Sequence, residues 1–328
     1  MSGGPTLWDV ARIAKVSKST ASRALNGDYG VSEATRSRVL DVCKSIGYSP
    51  NKSARSLKTG GRTQVGIVLE DIRGPWGVEI VYGIYQTALR AGYDPILLLA
   101  DVGRLGEISS TVKNFGGVVY VGAYEVREVE LPLSTWETAC VCAYSIGKGV
   151  PSVVPDDRQG GWLATTKLLE SGHRRIAVVM GPERLAPCRD RIQGYRDALR
   201  DSAQEIVAYG EWTLNDGYRH AQRILQDHPD VTAFFAGDEH IACGIIYALK
   251  DLGKDVPRDV SVIAMGNRDI TNHIRPTIST LRIPLMKIGE TATGLLLQMI
   301  SDKDRSGVER TISIDYDFIA RESIAHYQ

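Results

Sequence analysis

The sequence predicts an all-α helical head joined to an α/β body of two parallel-sheet subdomains, and three observations carry that prediction. Residues 6 to 30 read as two short amphipathic helices around a tight turn. From Gln64 onward, apolar runs alternate with amphipathic helices, the pattern of parallel strands buried on both faces. That second part holds about 265 residues, too many for one ordinary α/β unit, which implies two subdomains with a cleft between them.

Thr6 followed three residues later by Asp9 is a capping box: the hydroxyl satisfies an orphan amide of the first turn, and the carboxylate reaches back to the cap. The first helix therefore starts at Thr6, with Leu7, Val10, Ile13 and Ala14 at helical spacing as its apolar face. Ser17 caps a second helix running to about Asn26, whose Ala21, Ala24 and Leu25 face inward. Lys18, Ser19, Ser22 and Arg23 project the other way, as a helix lying in a DNA major groove requires. Ser32 opens a third helix with Val39, Val42 and Ile46 as its buried stripe and Gly47 as its stop. Taken alone, the same silhouette also fits a surface helical hairpin with a basic face.

From Thr6 to about Gly60 the chain resembles the lactose repressor family (LacI/GalR) of bacterial transcription regulators. The family pattern over the first two helices is Thr-x-x-Asp-Val-Ala-x-x-Ala-Gly-Val-Ser-x-x-Thr-Val-Ser-Arg-x-Leu-Asn. This chain departs from it at Lys15, in place of the turn glycine, and at Ala21, in place of valine. If the backbone takes a positive φ at that turn, a lysine there is strained by about 1 kcal/mol. The resemblance implies a double-stranded operator as partner and Lys18, Ser19 and Arg23 as base-reading positions. Around them it implies a DNA interface of Thr6, Ser17, Thr20, Ser22, Asn26 and Tyr48.

Charge divides along the same line. The chain has 39 basic and 39 acidic residues, yet residues 1–62 hold 11 Lys and Arg against 4 Asp and Glu, a surplus of 7. The remainder carries 28 against 35. A basic head on an acidic body points to a polyanionic partner at one end only, bound with an affinity that falls steeply with salt.

Residues 50–62 are polar and basic enough to be a linker. Asn51 caps a helix of about two turns through Lys58, too short to be stable in water without a partner, and Gly60-Gly61 ends it. Ala54 and Leu57 share one face. The resemblance implies that this hinge helix pairs with its copy from a second subunit in the minor groove, where Leu57 levers between base pairs and Asn51, Ala54, Arg55 and Lys58 make contacts. The alternative is a leucine packed on the body.

In the body, apolar runs start at Val65, Pro95, Gly117, Ala139, Ile176, Thr232 and Val260. The resemblance extends through this part to a regulatory domain of the periplasmic-binding-protein-like, sugar-binding type, in which the chain crosses between subdomains near 155, 284 and 308. The expected organisation is a headpiece over 1–50, a hinge over 51–62 and an effector-binding and dimerisation domain over 63–328. Its N-subdomain spans 63–155 and 285–307, and its C-subdomain 156–284 and 308–328.

For the cleft, the resemblance carries Pro75 and Trp76 to the mouth, Trp212 to the opposite subdomain and Arg191 to a position that forks onto ligand oxygens. Asp238-Glu239 stands where the family has Asn-Asp, so the matching carboxylate, Glu239, is one methylene longer. Ala264-Met265-Gly266-Asn267 replaces a Gly-Tyr-Asp-Asp run, which removes acidic groups and leaves Asn267 as a candidate contact. Taken singly, the tryptophans read as core or rim packing and the arginine as a structural partner; their joint placement favours a binding site. Aromatic faces with a few hydrogen-bonding groups suit an unphosphorylated mono- or oligosaccharide. A nucleobase, or a protein corepressor docked on the body, is the alternative.

Doubly wound sheets host many enzymes, so fold alone decides nothing. The sequence lacks a Gly-x-x-x-x-Gly-Lys-Ser/Thr loop, a Gly-x-Ser-x-Gly elbow and a His-Glu-x-x-His helix. Cys43, Cys140, Cys142, Cys188 and Cys243 include no Cys-x-x-Cys, and the alternation of Cys140 and Cys142 along an apolar strand reads as core thiols rather than metal ligands. His173 precedes a strand, where turn chemistry explains it as well as catalysis does. No cofactor and no metal are expected. A secreted sugar receptor without DNA function shares the body, but no export signal or membrane-length apolar run is legible, and few cysteines suit a reducing bacterial cytoplasm. The expectation is a homodimeric, sequence-specific repressor whose hold on a pseudo-palindromic operator is linked to a ligand in the cleft. The lack of leucine heptads after Phe318 favours a dimer over a tetramer.

Overall fold

The computed structural model describes residues 5–26, 31–46, 63–72, 75–100, 102–122, 128–129, 136–199, 204–302 and 310–327. The chain forms two compact units, Met1–Thr63 and Gln64–Gln328. Tyr48 and the hinge positions Asn51, Ala54, Arg55, Leu57 and Lys58 lie outside the described residues.

In the first unit, α1 (Leu7–Ile13), α2 (Lys18–Asn26) and α3 (Glu33–Ile46) surround a small core of Val10, Ala14, Ala24, Val39 and Cys43. The capping box forms: the Asp9 amide donates to Thr6 Oγ1 at 3.4 Å, and the Thr6 amide donates to the Asp9 carboxylate at 2.9 Å. Ile13 is not part of the inner face, being 46% exposed. At about 100° per residue the buried arc runs through Val10, Ala14 and Ala11, and Ile13 falls outside it. Lys15 takes φ 54°, so the turn does use the left-handed conformation that the side chain resists.

The second unit holds two six-stranded sheets. The first has the order β11-β5-β4-β3-β1-β2, from β1 (Gln64–Leu69), β2 (Asp94–Leu99), β3 (Gly117–Val121), β4 (Ala139–Ala143), β5 (Ser152–Pro155) and β11 (Thr311–Ile314), all parallel. The second has the order β12-β10-β9-β8-β6-β7, from β6 (Ile176–Met180), β7 (Ile206–Tyr209), β8 (Ala233–Ala236), β9 (Ser261–Met265), β10 (Ser279–Arg282) and β12 (Asp317–Ile319), with β12 alone antiparallel. Helices cover both sheets: α4 (Pro75–Arg90) and α9 (Leu285–Asp302) on the first, and α5 (Asp157–Glu170), α6 (Ala186–Leu199), α7 (Leu214–Asp227) and α8 (Glu239–Asp251) on the second. Strand side chains alternate between two cores. In β3, Val119 and Val121 join the α4/α9 side while Val118 and Tyr120 join the opposite cluster, so the strand reads as a continuous apolar run.

The chain leaves the first sheet after Pro155, returns after Arg282 and leaves again after Ile314. The last crossing was expected near 308. It falls later because Thr311–Ile314 pairs in parallel with Ser152–Pro155 and so completes the edge of the first sheet.

Three helix pairs cross on matched glycines. An added Cβ on Gly83 would collide with the Met286 carbonyl and one on Gly289 with the Ile80 carbonyl, joining α4 to α9. Gly161 meets Arg191 and Gly194 meets Arg158 between α5 and α6, and Gly217 meets Ile241 and Gly244 meets Leu214 between α7 and α8. In each pair the carbonyl met lies three positions before the partner helix's own glycine, so backbones touch where any side chain would hold them apart.

Candidate effector cleft and DNA-facing helix

Between the two subdomains lies a cavity of about 500 Å³, lined by residues of the strand ends, connecting loops and covering helices of both sheets, within the range that holds a small ligand. One wall is aromatic. Pro75 opens α4 and Trp76 follows it, its ring stacked on Tyr144 with centroids 5.0 Å apart and planes at 19°. Tyr144 follows β4 with φ 67°, a strained conformation secured by its amide donating to the Val153 carbonyl at 2.8 Å. Trp212, half-buried, forms part of the facing wall, where its indole lies so close over Gly181 that a Cβ there would enter the ring.

The polar groups of the site are committed differently from expectation. Arg191 lines the cavity, is 2% exposed, and its guanidinium is held by groups of the protein itself. Nε donates to Asp157 Oδ1 at 2.9 Å, Nη1 to the Gly237 carbonyl at 3.1 Å and Nη2 to the Tyr316 hydroxyl at 3.1 Å. Tyr316 in turn donates to Asp157 Oδ1 at 2.6 Å, and burial pushes its own titration well above the ordinary phenol value, so it stays a donor. Asp157 stands just past the first crossing between subdomains and Tyr316 on the last, so Arg191 ties two crossover segments to the end of β8.

Glu239 is likewise occupied. It is 3% exposed and accepts from the Arg268 amide at 2.9 Å, from Nη2 at 2.9 Å and from Nε at 3.2 Å. Burial opposes the charge of Arg268, but the Glu239 carboxylate outweighs it and holds the guanidinium above its ordinary pKa. Gly266, at φ 89°, leaves the space that this carboxylate fills. Asp238 caps α8 by accepting from the Ile241 amide at 2.8 Å, and its carboxylate raises the pKa of the neighbouring His240 imidazole above 6.5. Asn267 Oδ1 accepts from Arg321 and from Thr280. The cavity thus presents aromatic faces and a rim of already paired polar groups. Tyr144, Arg268, Asp157 and Tyr316 were not singled out from the sequence; Arg268, directly after the departing Ala-Met-Gly-Asn run, was the one with a local signal.

On the headpiece, Ser17 Oγ accepts from the Thr20 amide at 3.0 Å and lies 2.8 Å from the hydroxyls of both Ser19 and Thr20, which fixes the start of α2. Lys18, Ser19 and Arg23 are exposed on its outer face, Ser22 is half-buried, and Thr6 is exposed but spends its hydroxyl on the α1 cap. Asn26 is the last residue of α2. Arg36 Nη1 donates to the Ala24 carbonyl at 3.0 Å and pins α3 behind the helix. His173 is buried in the body, its ring nitrogens 3.0 Å from Thr232 Oγ1 and 2.9 Å from Ser261 Oγ, so it ties strands together rather than facing a site. Burial pushes the Cys142 thiol up to about 12, as suits an inert core thiol.

Residues 6–51 match the bacterial regulatory proteins of the lacI family, and residues 165–324 match the periplasmic binding protein-like domain. Catabolite control protein A of Priestia megaterium is 30% identical over 307 residues, spanning 90% of this chain and 92% of that protein. The chain belongs to the LacI family. Among other LacI-family relatives, the transcriptional regulator CelR of Thermobifida fusca is 30% identical over 97% of this chain and 98% of its own length. A solved CelR–cellobiose complex superposes with a TM-score of 0.66 at 27% identity, covering 97% of this chain and 99% of that one. The lac repressor dimer bound to operator superposes with a TM-score of 0.72 at 21% identity over 98% and 100% of the two chains, a likeness of fold. As a LacI-family member, the protein is a DNA-binding transcriptional regulator with a ligand-binding regulatory domain. None of its described helices is long and apolar enough to cross a membrane.

Proposed function

We propose that this LacI-family regulator is a cytoplasmic homodimeric repressor, without catalytic activity, that answers to a carbohydrate bound in the cleft. The observation that carries the reading is the Trp76 and Tyr144 stack on one wall of the cavity with Trp212 on the other. Indole and phenol faces pack on the C–H faces of a sugar ring, while paired polar groups such as Glu239 with Arg268 accept and donate at its hydroxyls without needing a charged ligand. Arg191 acts behind this surface rather than as the ligand's fork. Lys18, Ser19 and Arg23 read bases, flanked by contacts from Thr6, Ser17, Thr20, Ser22, Asn26 and Tyr48. Asn51, Ala54, Arg55, Leu57 and Lys58 contact the minor groove, with Leu57 as the wedge.

A dimer is supported by Val78, Tyr82, Tyr85 and Leu89, which stand exposed along one stripe of α4. Leu97 and Leu99 are exposed on the neighbouring edge strand β2. An apolar patch of that kind marks an interface, and a twofold protein requires a pseudo-palindromic operator. Ligand and operator then alter each other's affinity by the same factor.

A thermal-shift titration of the full chain with monosaccharides, cellobiose and nucleobases tests the effector, because a specific binder stabilises the folded state by mass action. The expected result is a saturable shift with a sugar that disappears in Trp76→Ala. A shift with nucleobases alone, or with none of the compounds, overturns the carbohydrate reading.

A further inference from the structure

We propose that the effector is an amine-bearing sugar, whose ammonium is taken by Glu79 beside the Trp76 and Tyr144 stack while its ring packs on Trp212. This rests on the carbohydrate reading above and deepens it, adding the charge of the ligand and the residue that selects for it.

The walls of the cavity differ in charge. On the side of the second sheet and at the return crossing, each guanidinium has a carboxylate of its own: Arg191 has Asp157 at 2.9 Å, Arg268 has Glu239 at 2.9 Å and Arg282 has Asp317 at 2.7 Å. Asp238 is engaged as well, by the Ile241 amide at 2.8 Å and by His240 Nδ1 at 3.5 Å. The wall built from the ends of β1 and β4 and the start of α4 is different. Asp71, Trp76, Glu79 and Tyr144 line it, and among the described residues it holds no cation.

Glu79 follows Trp76 by three positions on α4, so the two side chains are neighbours on the helix surface. It is exposed and makes no hydrogen bond or ion pair among the described residues. It also stands about 100° around the helix from Val78, off the apolar stripe offered to a second subunit, so a dimer leaves it at the cleft.

Water solvates this carboxylate while the cavity is empty. A neutral sugar that displaces the water leaves the charge facing hydroxyls alone, a cost that a cation on the ligand offsets. An ammonium donates hydrogen bonds to the carboxylate and is drawn to the negative faces of the indole and phenol rings beside it. A phosphorylated or carboxylated sugar would instead meet Glu79 as a like charge. A metal ion fits poorly, since it takes several oxygen or nitrogen ligands and no group of three histidine, cysteine, aspartate or glutamate side chains able to hold one occurs among the described residues.

The experiment titrates the full chain calorimetrically, at constant ionic strength, with three matched sets of sugars. The first holds glucosamine, galactosamine and the β-1,4-linked glucosamine disaccharide, the second their N-acetylated forms, and the third glucose, galactose and cellobiose. We expect at least one amine to bind about tenfold more tightly than both its acetylated and its hydroxyl counterpart. Glu79→Gln should remove that preference and Glu79→Asp should keep part of it. Melting curves without sugar check that both variants remain folded, as the exposure of the side chain requires.

Equal affinity for the amine and neutral members of a set, binding of neutral sugars alone, tighter binding of the acetylated forms, or an amine preference that survives Glu79→Gln would each overturn the ammonium seat while leaving a carbohydrate effector in place. Failure of every sugar to bind overturns the seat and the carbohydrate reading together.

Discussion

Replacing Arg191 with alanine should damage the fold before it damages recognition. The guanidinium is 3% exposed in its side chain and its partner Asp157 is 1% exposed, with 2.9 Å between Nε and Oδ1. Removing the cation leaves a buried carboxylate without its counter-charge, the Tyr316 hydroxyl among its remaining partners, and losing one partner of a buried pair costs about 3–5 kcal/mol. The Gly237 carbonyl loses its donor as well. For a unit of this size that cost corresponds to roughly 6–20 °C in Tm. Urea unfolding of the full chain, followed by circular dichroism and extrapolated linearly, reads it directly.

A triple variant, Asp157→Leu with Arg191→Met and Tyr316→Phe, separates pairing from packing. It removes all three polar side chains at once and should recover most of the lost stability, since apolar replacement of a buried pair is often neutral or better. An Arg191→Ala protein as stable as wild type to within about 1 kcal/mol would refute the argument and return Arg191 to the role of a ligand's fork.

Three other perturbations follow from features already described. Lys15→Gly should stabilise the headpiece by about 1 kcal/mol, because φ 54° costs a lysine what glycine does not incur; calorimetry showing no gain would mean that the turn is unstrained. Burial holds His173 below the ordinary histidine value of 6.5, so its contribution to stability is fully present above 6.5 and is lost as pH falls below it, when the unfolded chain takes up a proton the folded imidazole resists. Urea midpoints at neutral and mildly acidic pH should therefore converge between wild type and His173→Gln as pH falls, and a constant difference would contradict this. Arg23→Ala should cost about 1–3 kcal/mol at particular base pairs only, and a uniform loss across operator variants would remove Arg23 from base reading.

The elements with strong one-dimensional signals were the legible ones. The capping box at Thr6 and Asp9, the serine caps before α2 and α3, and the seven apolar runs all correspond to observed helices and strands. Strands without such a signal, such as Ser152–Pro155, Ile206–Tyr209 and Thr311–Ile314, are four residues long. In two of them apolar positions are mixed with serine and threonine or bounded by proline. In the cleft, Trp76 and Trp212 stand out as residue types whatever their surroundings. What Arg191 touches does not, because its partners Asp157 and Tyr316 lie 34 and 125 positions away in the chain, and only the folded crossovers bring them together.

The matched glycines bear on how such a cleft can open and shut. Where two helices rest backbone against backbone, with no side chains between them to change rotamer, sliding of one along the other would drive a carbonyl into a neighbouring Cβ. Shear is thereby closed off within each layer, and the paired helices travel as plates. Any swing of one plate relative to the other must be absorbed in the few residues after Pro155, Arg282 and Ile314, which makes those three short passages the axle of the molecule.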